Sequence, residues 1–285
     1  MMQGHLFHYV HQKSSKGKKE NEIMKSHQFA TAATITALAL GSTQTIFAEE
    51  TTETELKSVQ TQGTITFESP DGPSIIVPPV EEPDIIPEEP DKTAGPLAIV
   101  HAPNLDFGTH EISVQDETYT MLAEKAKTGD GKEVPYVSFV QVQDLRGSNT
   151  GWSLKVSLSA FTSNTQNNTL KGAALTFEPG VLNYSGDEIS KPSFEEEIKL
   201  SADSESQKVM DAVVKVVDEK TVGEGAGVTS LIWGDQEKLN KAEPDEQVLN
   251  DAITLSVPKT ATKDAAEYTA TLTWELTSTP VIVID

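Results

Sequence analysis

"GWSLKVSLSAF", residues 151–161, alternates apolar and polar side chains almost from end to end. Successive side chains of a β-strand point to opposite faces, so the apolar residues share one face: Trp152, Leu154, Val156, Leu158 and Ala160. The serines and Lys155 between them take the other face. The stretch therefore predicts a strand with one face on a hydrophobic core and the other in water.

A second stretch, "TATLTWELTSTP" at residues 269–280, repeats the Trp-x-Leu spacing. Its apolar face begins one residue earlier and comprises Tyr268, Ala270, Leu272, Trp274 and Leu276. The alternation favours two core tryptophans, each burying roughly 150–250 Å². The other interpretation places the tryptophans at the surface, where they could contact a ligand.

The rest of the chain after Pro96 consists of short apolar runs separated by Gly, Asn, Asp and Pro, which favours antiparallel strands over βαβ units. The run "QKVMDAVVKVVDEK", residues 207–220, is ambiguous, but its valines favour a strand. The fold class is therefore predicted to be an all-β antiparallel β-sandwich. The predicted strands are Leu97–Val100, Tyr119–Leu122, Tyr136–Gln143, Trp152–Ala160, Ala173–Phe177, Val209–Val217, Val228–Trp233, Ile253–Val257 and Tyr268–Leu276.

A secretory signal peptide is predicted at residues 25–48, which combine a basic start, a short apolar stretch and a small residue before an acidic run. The apolar stretch is too short and too rich in Thr, Ser and Gln for a membrane span of ~20 residues. We expect cleavage after Ala48. We also expect translation to begin at Met24, because residues 1–23 do not suit a signal peptide and the codons for Lys19 and Glu20 can spell a ribosome-binding sequence.

Residues 49–96 are predicted to be a short segment followed by an acidic, proline-rich linker. Eight of the 15 prolines lie between Pro70 and Pro96, and such a stretch favours an extended spacer. "GTITFESP", residues 63–70, could form one short strand. The pairs Ile75-Ile76 and Ile85-Ile86 either punctuate a spacer or dock onto a partner.

The composition excludes several function classes. The formal net charge is −22, and removing residues 1–48 makes the chain still more acidic, so the basic footprint that nucleic acid binding requires is missing. Cysteine is absent, which excludes disulfides, thiolate metal sites and a cysteine nucleophile.

Catalytic and metal-binding patterns are weak, so we expect no enzyme activity, no metal site and no cofactor. His101 and His110, the two histidines beyond the predicted signal peptide, fit no Ser/His/Asp or metal-ligand spacing. The glutamates of "SFEEEIKLS", residues 193–201, are expected on a solvated face. "TGDGKE", residues 128–133, favours a hairpin turn over half a calcium site, and "GEGAG", residues 223–227, is predicted to be a turn.

The two Trp-x-Leu segments resemble the paired motifs of the WxL domain, a C-terminal cell-surface domain of low-GC Gram-positive bacteria. The first motif appears here as "VPYVSFVQVQDLRGSNTGWSLKVSLSAF" and the second as "YTATLTWELTSTP", which ends at Pro280. One departure is the apolar tail after Pro280, "VIVID", which can itself complete an edge strand. The likeness extends to "GPLAIVHAPNLDFGTHEIS" and to the segments before it. It places the domain at residues 97–285, with motif residues Trp152, Leu154, Trp274 and Leu276.

The resemblance implies non-covalent attachment to the cell wall through peptidoglycan, with both motifs needed. It also implies partners among surface proteins, including WxL-interacting proteins. An adhesin that binds host matrix proteins while held on the wall is the alternative. The lack of a second ligand-binding domain before the linker favours assembly with partners.

Overall fold

The computed structural model describes residues 59–70, 76–86, 93–217, 219–242 and 247–278, and the backbone of residues 282–283. The fold is that of the unit formed by residues 63–285. The predicted signal peptide lies outside the described residues. Across these described ranges, no helix has the length and apolarity needed to cross a membrane.

Antiparallel strands dominate the described chain, which confirms the all-β class predicted from the sequence. The helical segments of this part are α1 (Gln236–Leu239) and a 3-10 turn at Glu188–Ser190. The strands in chain order are β1 (Ile85–Ile86), β2 (Leu97–His101), β3 (Glu117–Leu122), β4 (Glu124–Thr128), β5 (Glu133–Tyr136), β6 (Ser138–Asp144), β7 (Trp152–Leu158), β8 (Ala174–Phe177), β9 (Val181–Tyr184), β10 (Ser193–Phe194), β11 (Ile198–Ser201), β12 (Gln207–Ala212), β13 (Val214–Val217), β14 (Lys220–Gly223), β15 (Gly227–Trp233), β16 (Leu249–Val257), β17 (Leu272–Thr277) and β18 (Ile282–Val283).

Three four-stranded sheets share the main hydrophobic core. Their strand orders are β2-β6-β15-β9, β10-β12-β7-β17 and β11-β8-β16-β3. We call β10-β12-β7-β17 the motif sheet because it contains both Trp-x-Leu strands. Each sheet contributes fully buried leucines to the core, among them Leu231, Leu154 and Leu175. Burial of this apolar surface, at about 25 cal/mol per Å², is the main force that holds the sheets together.

Two three-stranded sheets, β1-β4-β5 and β14-β13-β18, complete the unit. Strands β4 and β5 form a hairpin, closed by bonds from the Thr128 N–H to the Lys132 carbonyl (2.9 Å) and from the Gly131 N–H to the Thr128 carbonyl (2.8 Å). The hairpin turn predicted at residues 128–133 is therefore confirmed. Strand β18 pairs in parallel with β13, so residues 282–283 of the apolar tail form an edge strand as the sequence suggested.

The proline-rich segment packs onto its own domain through one isoleucine of each apolar pair, which corrects both interpretations for these two residues. Ile76 and Ile85 are each only 8% exposed and lie in a second hydrophobic cluster with residues such as Val100 and Phe139. The buried Gln141 side chain accepts a hydrogen bond from the Val77 N–H (2.9 Å) and donates one to the Val77 carbonyl (2.7 Å). Residues 76–86 are thus neither a free spacer nor available to a partner through these two isoleucines.

The expectation of a strand at Gly63–Pro70 is wrong. These residues are exposed, with Ile65 77% and Phe67 85% exposed, and they form no strand in the described structure. Local β propensity favours an extended chain, but a strand also needs a neighbour that accepts and donates its backbone hydrogen bonds.

Each of the nine predicted strand regions contains a strand, and two of them contain two. The region Tyr136–Gln143 is divided at Val137 between β5 and β6, and Val209–Val217 is divided at Val213 between β12 and β13. In both regions the chain passes from one sheet into another. The ambiguous run at residues 207–220 is confirmed as strand.

Candidate functional site

The two Trp-x-Leu strands are neighbours in the motif sheet. Strands β7 and β17 pair antiparallel, with Leu276 opposite Leu154 and Trp274 opposite Val156. Residues that lie more than a hundred positions apart in the chain therefore form one continuous surface. Directly opposite side chains on one face are the unit of sheet stabilisation, so each motif holds the other in register.

Trp152 is a core residue. Its side chain is 1% exposed, Leu154 beside it is fully buried, and the indole Nε1–H donates a hydrogen bond to the Gly225 carbonyl at 3.0 Å. The one polar atom of the indole is thus satisfied inside the protein. Trp152 cannot stack on a ligand in this fold, so it supports the sheet.

The loop that covers Trp152 is the glycine-rich run "GEGAG", residues 223–227, between β14 and β15. Gly225 has φ +75°, and a Cβ at this position would lie 2.6 Å from the Trp152 Nε1 atom. Its neighbour Glu224 is buried, accepts a hydrogen bond from the Val213 N–H at 3.1 Å and pairs with the Lys215 ammonium at 2.6 Å. The predicted turn is confirmed, and its packing on Trp152 is a role that the sequence did not reveal.

Trp274 occupies a different environment. It lies on the outermost described strand of the motif sheet and stays partly exposed, as does Leu276. Its ring centroid lies 6.5 Å from that of Phe177 and 6.4 Å from that of Trp233, whose rings are 4.9 Å apart. Each of the three rings comes from a different four-stranded sheet. Trp274 therefore packs where the three sheets meet, and part of its side chain remains exposed to solvent.

The sequence analysis did not single out Phe177 and Trp233 as partners of the motif. The available signal was that Trp233 is the third tryptophan of the chain and ends an apolar run. No local pattern connects it to residue 274, because their contact depends on how the sheets pack. The apolar alternation of both motif strands is confirmed, but it did not distinguish the depth at which each tryptophan lies.

Titratable groups with shifted pKa values lie outside the motif. Burial lowers the pKa of His101 to about 4, and its ring stacks on Phe139 at 4.0 Å. Burial raises the pKa of Glu124 to about 7, while hydrogen bonds from Ser138 and from the Asn104 N–H (3.0 Å) oppose that rise. Among the described residues no group of three His, Cys, Asp or Glu side chains is placed to hold a metal ion.

The remaining histidine and the acidic run are surface features. His110 is exposed and stacks against Tyr119 with ring centroids 4.3 Å apart. In the run at residues 193–201, Glu195 pairs with Lys208 at 3.4 Å and Glu197 pairs with Lys199 at 2.9 Å, both at exposed sites. These carboxylates form solvated ion pairs, each worth about 0–1 kcal/mol.

Comparison with known proteins gives one match. Residues 51–280 match the family model described as WxL domain, surface cell wall-binding. No curated protein and no solved structure matches the chain. The matched region includes both Trp-x-Leu strands and the aromatic cluster around Trp274. The chain therefore belongs to the WxL family of cell-wall-binding surface domains.

Proposed function

We propose that the protein is a non-catalytic surface subunit, exported by its signal peptide and held on the wall by non-covalent binding of its WxL domain to peptidoglycan. The observation that carries this proposal is the asymmetry of the paired motifs. Trp152 and Leu154 are buried and hold the sheet, whereas Trp274 and Leu276 reach solvent at its outer strand. A partly exposed indole can stack on the C–H face of a sugar ring and still keep its place in the core.

Co-sedimentation with protein-free Gram-positive cell walls tests wall binding. The chain lacking residues 1–48, which precede the folded unit of residues 63–285, should pellet with the walls. Trp274→Ala should remain folded but stay in the supernatant, because it removes the exposed ring. Trp152→Ala should lose binding together with stability, because it leaves a cavity in the core beneath the outer strand.

Val181→Ala is the matched control for Trp274→Ala. Val181 is also an apolar residue on an outermost strand, β9, and is 65% exposed. This variant should pellet like the wild type. Wild-type protein that remains in the supernatant would show that the chain does not bind the wall by itself and that a protein partner holds it there.

Assembly with a partner surface protein is the second part of the proposal. Its support is the segment Gly63–Pro70, which alternates Thr with apolar residues and exposes Ile65 and Phe67 almost completely. Exposed large apolar side chains at alternate positions are typical of a segment that forms a strand on another protein and completes its hydrogen bonds there.

Photo-crosslinking on growing cells tests this assembly. A crosslinking residue at position 65 or 67 should capture a surface protein more efficiently than one at position 64 or 66, because alternate side chains of a paired strand lie on the same face of the sheet and only the apolar face packs on the partner's core. Equal crosslinking at all four positions would contradict strand pairing. Binding of the purified chain to host matrix proteins, with no bacterial partner present, would favour an adhesin instead.

A further inference from the structure

On the outer face of the motif sheet, most side chains of strands β7 and β17 carry a hydroxyl group. Across strands β7 and β17, Thr273 lies opposite Ser157 and Thr277 opposite Ser153. One more pair stands between them, Glu275 opposite Lys155. Residues on one face of a strand repeat at about 6.8 Å, and adjacent strands lie about 4.8 Å apart. The two motif strands therefore present a regular grid of small polar groups.

The hydrogen-bonding capacity of this grid is largely unused. Within the described part of the chain, the side-chain hydroxyls of Ser153, Ser157 and Thr273 form no hydrogen bond, whereas Thr277 donates weakly to the Ser153 carbonyl at 3.4 Å. Lys155 and Glu275 face each other in register, yet neither forms an ion pair among the described residues. Donors and acceptors are thus available to a ligand without breaking internal bonds.

The charge of this face differs from that of the chain. The protein has a net charge of −22, but the outward residues of these two strands include one carboxylate, Glu275, and one ammonium group, Lys155, directly opposite it. A neutral face on an acidic protein allows the approach of a ligand that is itself rich in hydroxyl and amide groups. It gives little attraction to a strongly charged polymer.

The sheet β11-β8-β16-β3 provides a comparison inside the same molecule. Its outer face also carries hydroxyls, but Thr120, Thr254 and Ser256 are partly buried, and Ser256 Oγ donates to the Ala174 carbonyl at 3.2 Å. Thr118 is exposed there, on the outermost strand β3. In the motif sheet Ser153 and Ser157 are also partly buried, but Thr273 and Thr277 of β17 are both exposed, so this grid is the more exposed of the two.

We propose that the outer face of β7 and β17 is the surface on which an extended neutral polysaccharide, rich in hydroxyl and acetamido groups, lies along the strands. This inference rests on the proposed wall binding and assigns it to named residues. Ser157 and Thr273 donate and accept hydrogen bonds with the sugar, and Lys155 donates one. An anionic wall polymer bound by Lys155 is the competing ligand that the experiment must distinguish.

The test compares Thr273→Glu with Thr118→Glu. Both replace an exposed threonine on the outermost strand of a four-stranded sheet, so both alter strand propensity and net charge equally. Only Thr273→Glu places a carboxylate in the grid, where a bound sugar would bury it without a partner. With walls from which anionic polymers have been extracted, its Kd should rise roughly tenfold or more, and that of Thr118→Glu should stay within about twofold of the wild type.

Lys155→Met is a second variant that keeps side-chain length and removes the ammonium donor. It should weaken binding to the extracted walls roughly three- to tenfold, the value of one lost hydrogen bond. A soluble β-1,4-linked oligomer of N-acetylglucosamine should compete with the walls for the wild-type chain. Circular dichroism and thermal melting confirm that each variant is folded.

The outcomes separate this inference from wall binding itself. Wild-type affinity in both Thr273→Glu and Lys155→Met would overturn the proposed face while leaving wall binding intact. Wild-type binding that disappears when the anionic polymers are extracted would overturn the neutral glycan as ligand. A wild type that binds neither wall preparation would overturn the proposed function and this inference together.

Discussion

Replacing each motif tryptophan by alanine should cost very different amounts of stability, although the two motifs share the Trp-x-Leu pattern. Trp152 is 1% exposed and its indole N–H is bonded inside the protein. Burial of a whole indole, roughly 150–250 Å², corresponds to about 4–6 kcal/mol at 25 cal/mol per Å². Measured Trp→Ala changes in cores are about 3–5 kcal/mol, and we expect Trp152→Ala to fall in that range.

Trp274 buries only part of its ring, and its aromatic contacts have centroid distances of 6.4 and 6.5 Å. We expect Trp274→Ala to cost about 2 kcal/mol, near half the value for Trp152, because less apolar surface returns to water. In a folded unit of this size, 1 kcal/mol corresponds to about 2–4 °C in Tm, so the two variants should differ by several degrees.

Urea unfolding followed by circular dichroism gives both free energies of unfolding. If the free energy of unfolding falls with urea concentration at a similar slope in the two variants, unfolding exposes a similar amount of surface in both. The difference between their urea midpoints then reports a difference in stability. A Trp274→Ala variant that is as destabilised as Trp152→Ala would refute the reasoning, since it would mean that the outer strand carries as much of the core as the inner one.

Two further predictions concern the support of Trp152 and the titration of buried groups. Gly225→Ala should cost about 2–4 kcal/mol in urea unfolding, because it adds a clash with the Trp152 ring to the backbone strain at φ +75°, whereas Gly131→Ala, with φ +82° and open space around it, should cost about 1 kcal/mol. Because the pKa of His101 is lowered to about 4 in the folded state, stability is lost as pH falls from 6.5 toward 4. Because the pKa of Glu124 is raised to about 7, stability is lost as pH rises from 4.5 toward 7, and each effect is worth roughly 3 kcal/mol. Relative to the wild type, Glu124→Gln should lose stability on going from pH 6.5 to 4.5, and His101→Gln should gain it. If the stability of all three proteins changed with pH in parallel, the shifted pKa values of His101 and Glu124 would be contradicted.

The strands were predictable from the sequence because alternation is local. When one face of a strand is buried, apolar and polar residues alternate along its sequence, as they do from Trp152 to Leu158. The points at which a strand changes sheet were not predictable. Apolar residues occur closely on both sides of Val137 and of Val213, so composition does not mark these points; only the pairing partners change. Two-residue strands such as β10 are also too short to carry a period.

The proline-rich segment shows a second limit of the sequence. Ile76 and Ile85 occur in a composition that is typical of a spacer, yet they fill part of a core. The residue that fixes the segment is Gln141, whose side-chain amide bonds both the N–H and the carbonyl of Val77. This contact joins positions 64 residues apart and leaves no local signal at either of them.

The placement of the two motifs also affects how any mutation in them should be interpreted. Leu276 lies opposite Leu154, so the outer strand keeps its register only while the inner strand is packed on the core. A variant of Trp152 therefore removes the outer face and the exposed edge of Trp274 together, without any direct contact between Trp152 and a ligand. If the wall is contacted only by β17, and β17 keeps its place only because β7 supports it, then wall binding requires both motifs. For this reason loss of binding in a motif variant identifies a contact residue only when the stability of that variant has been measured beside it.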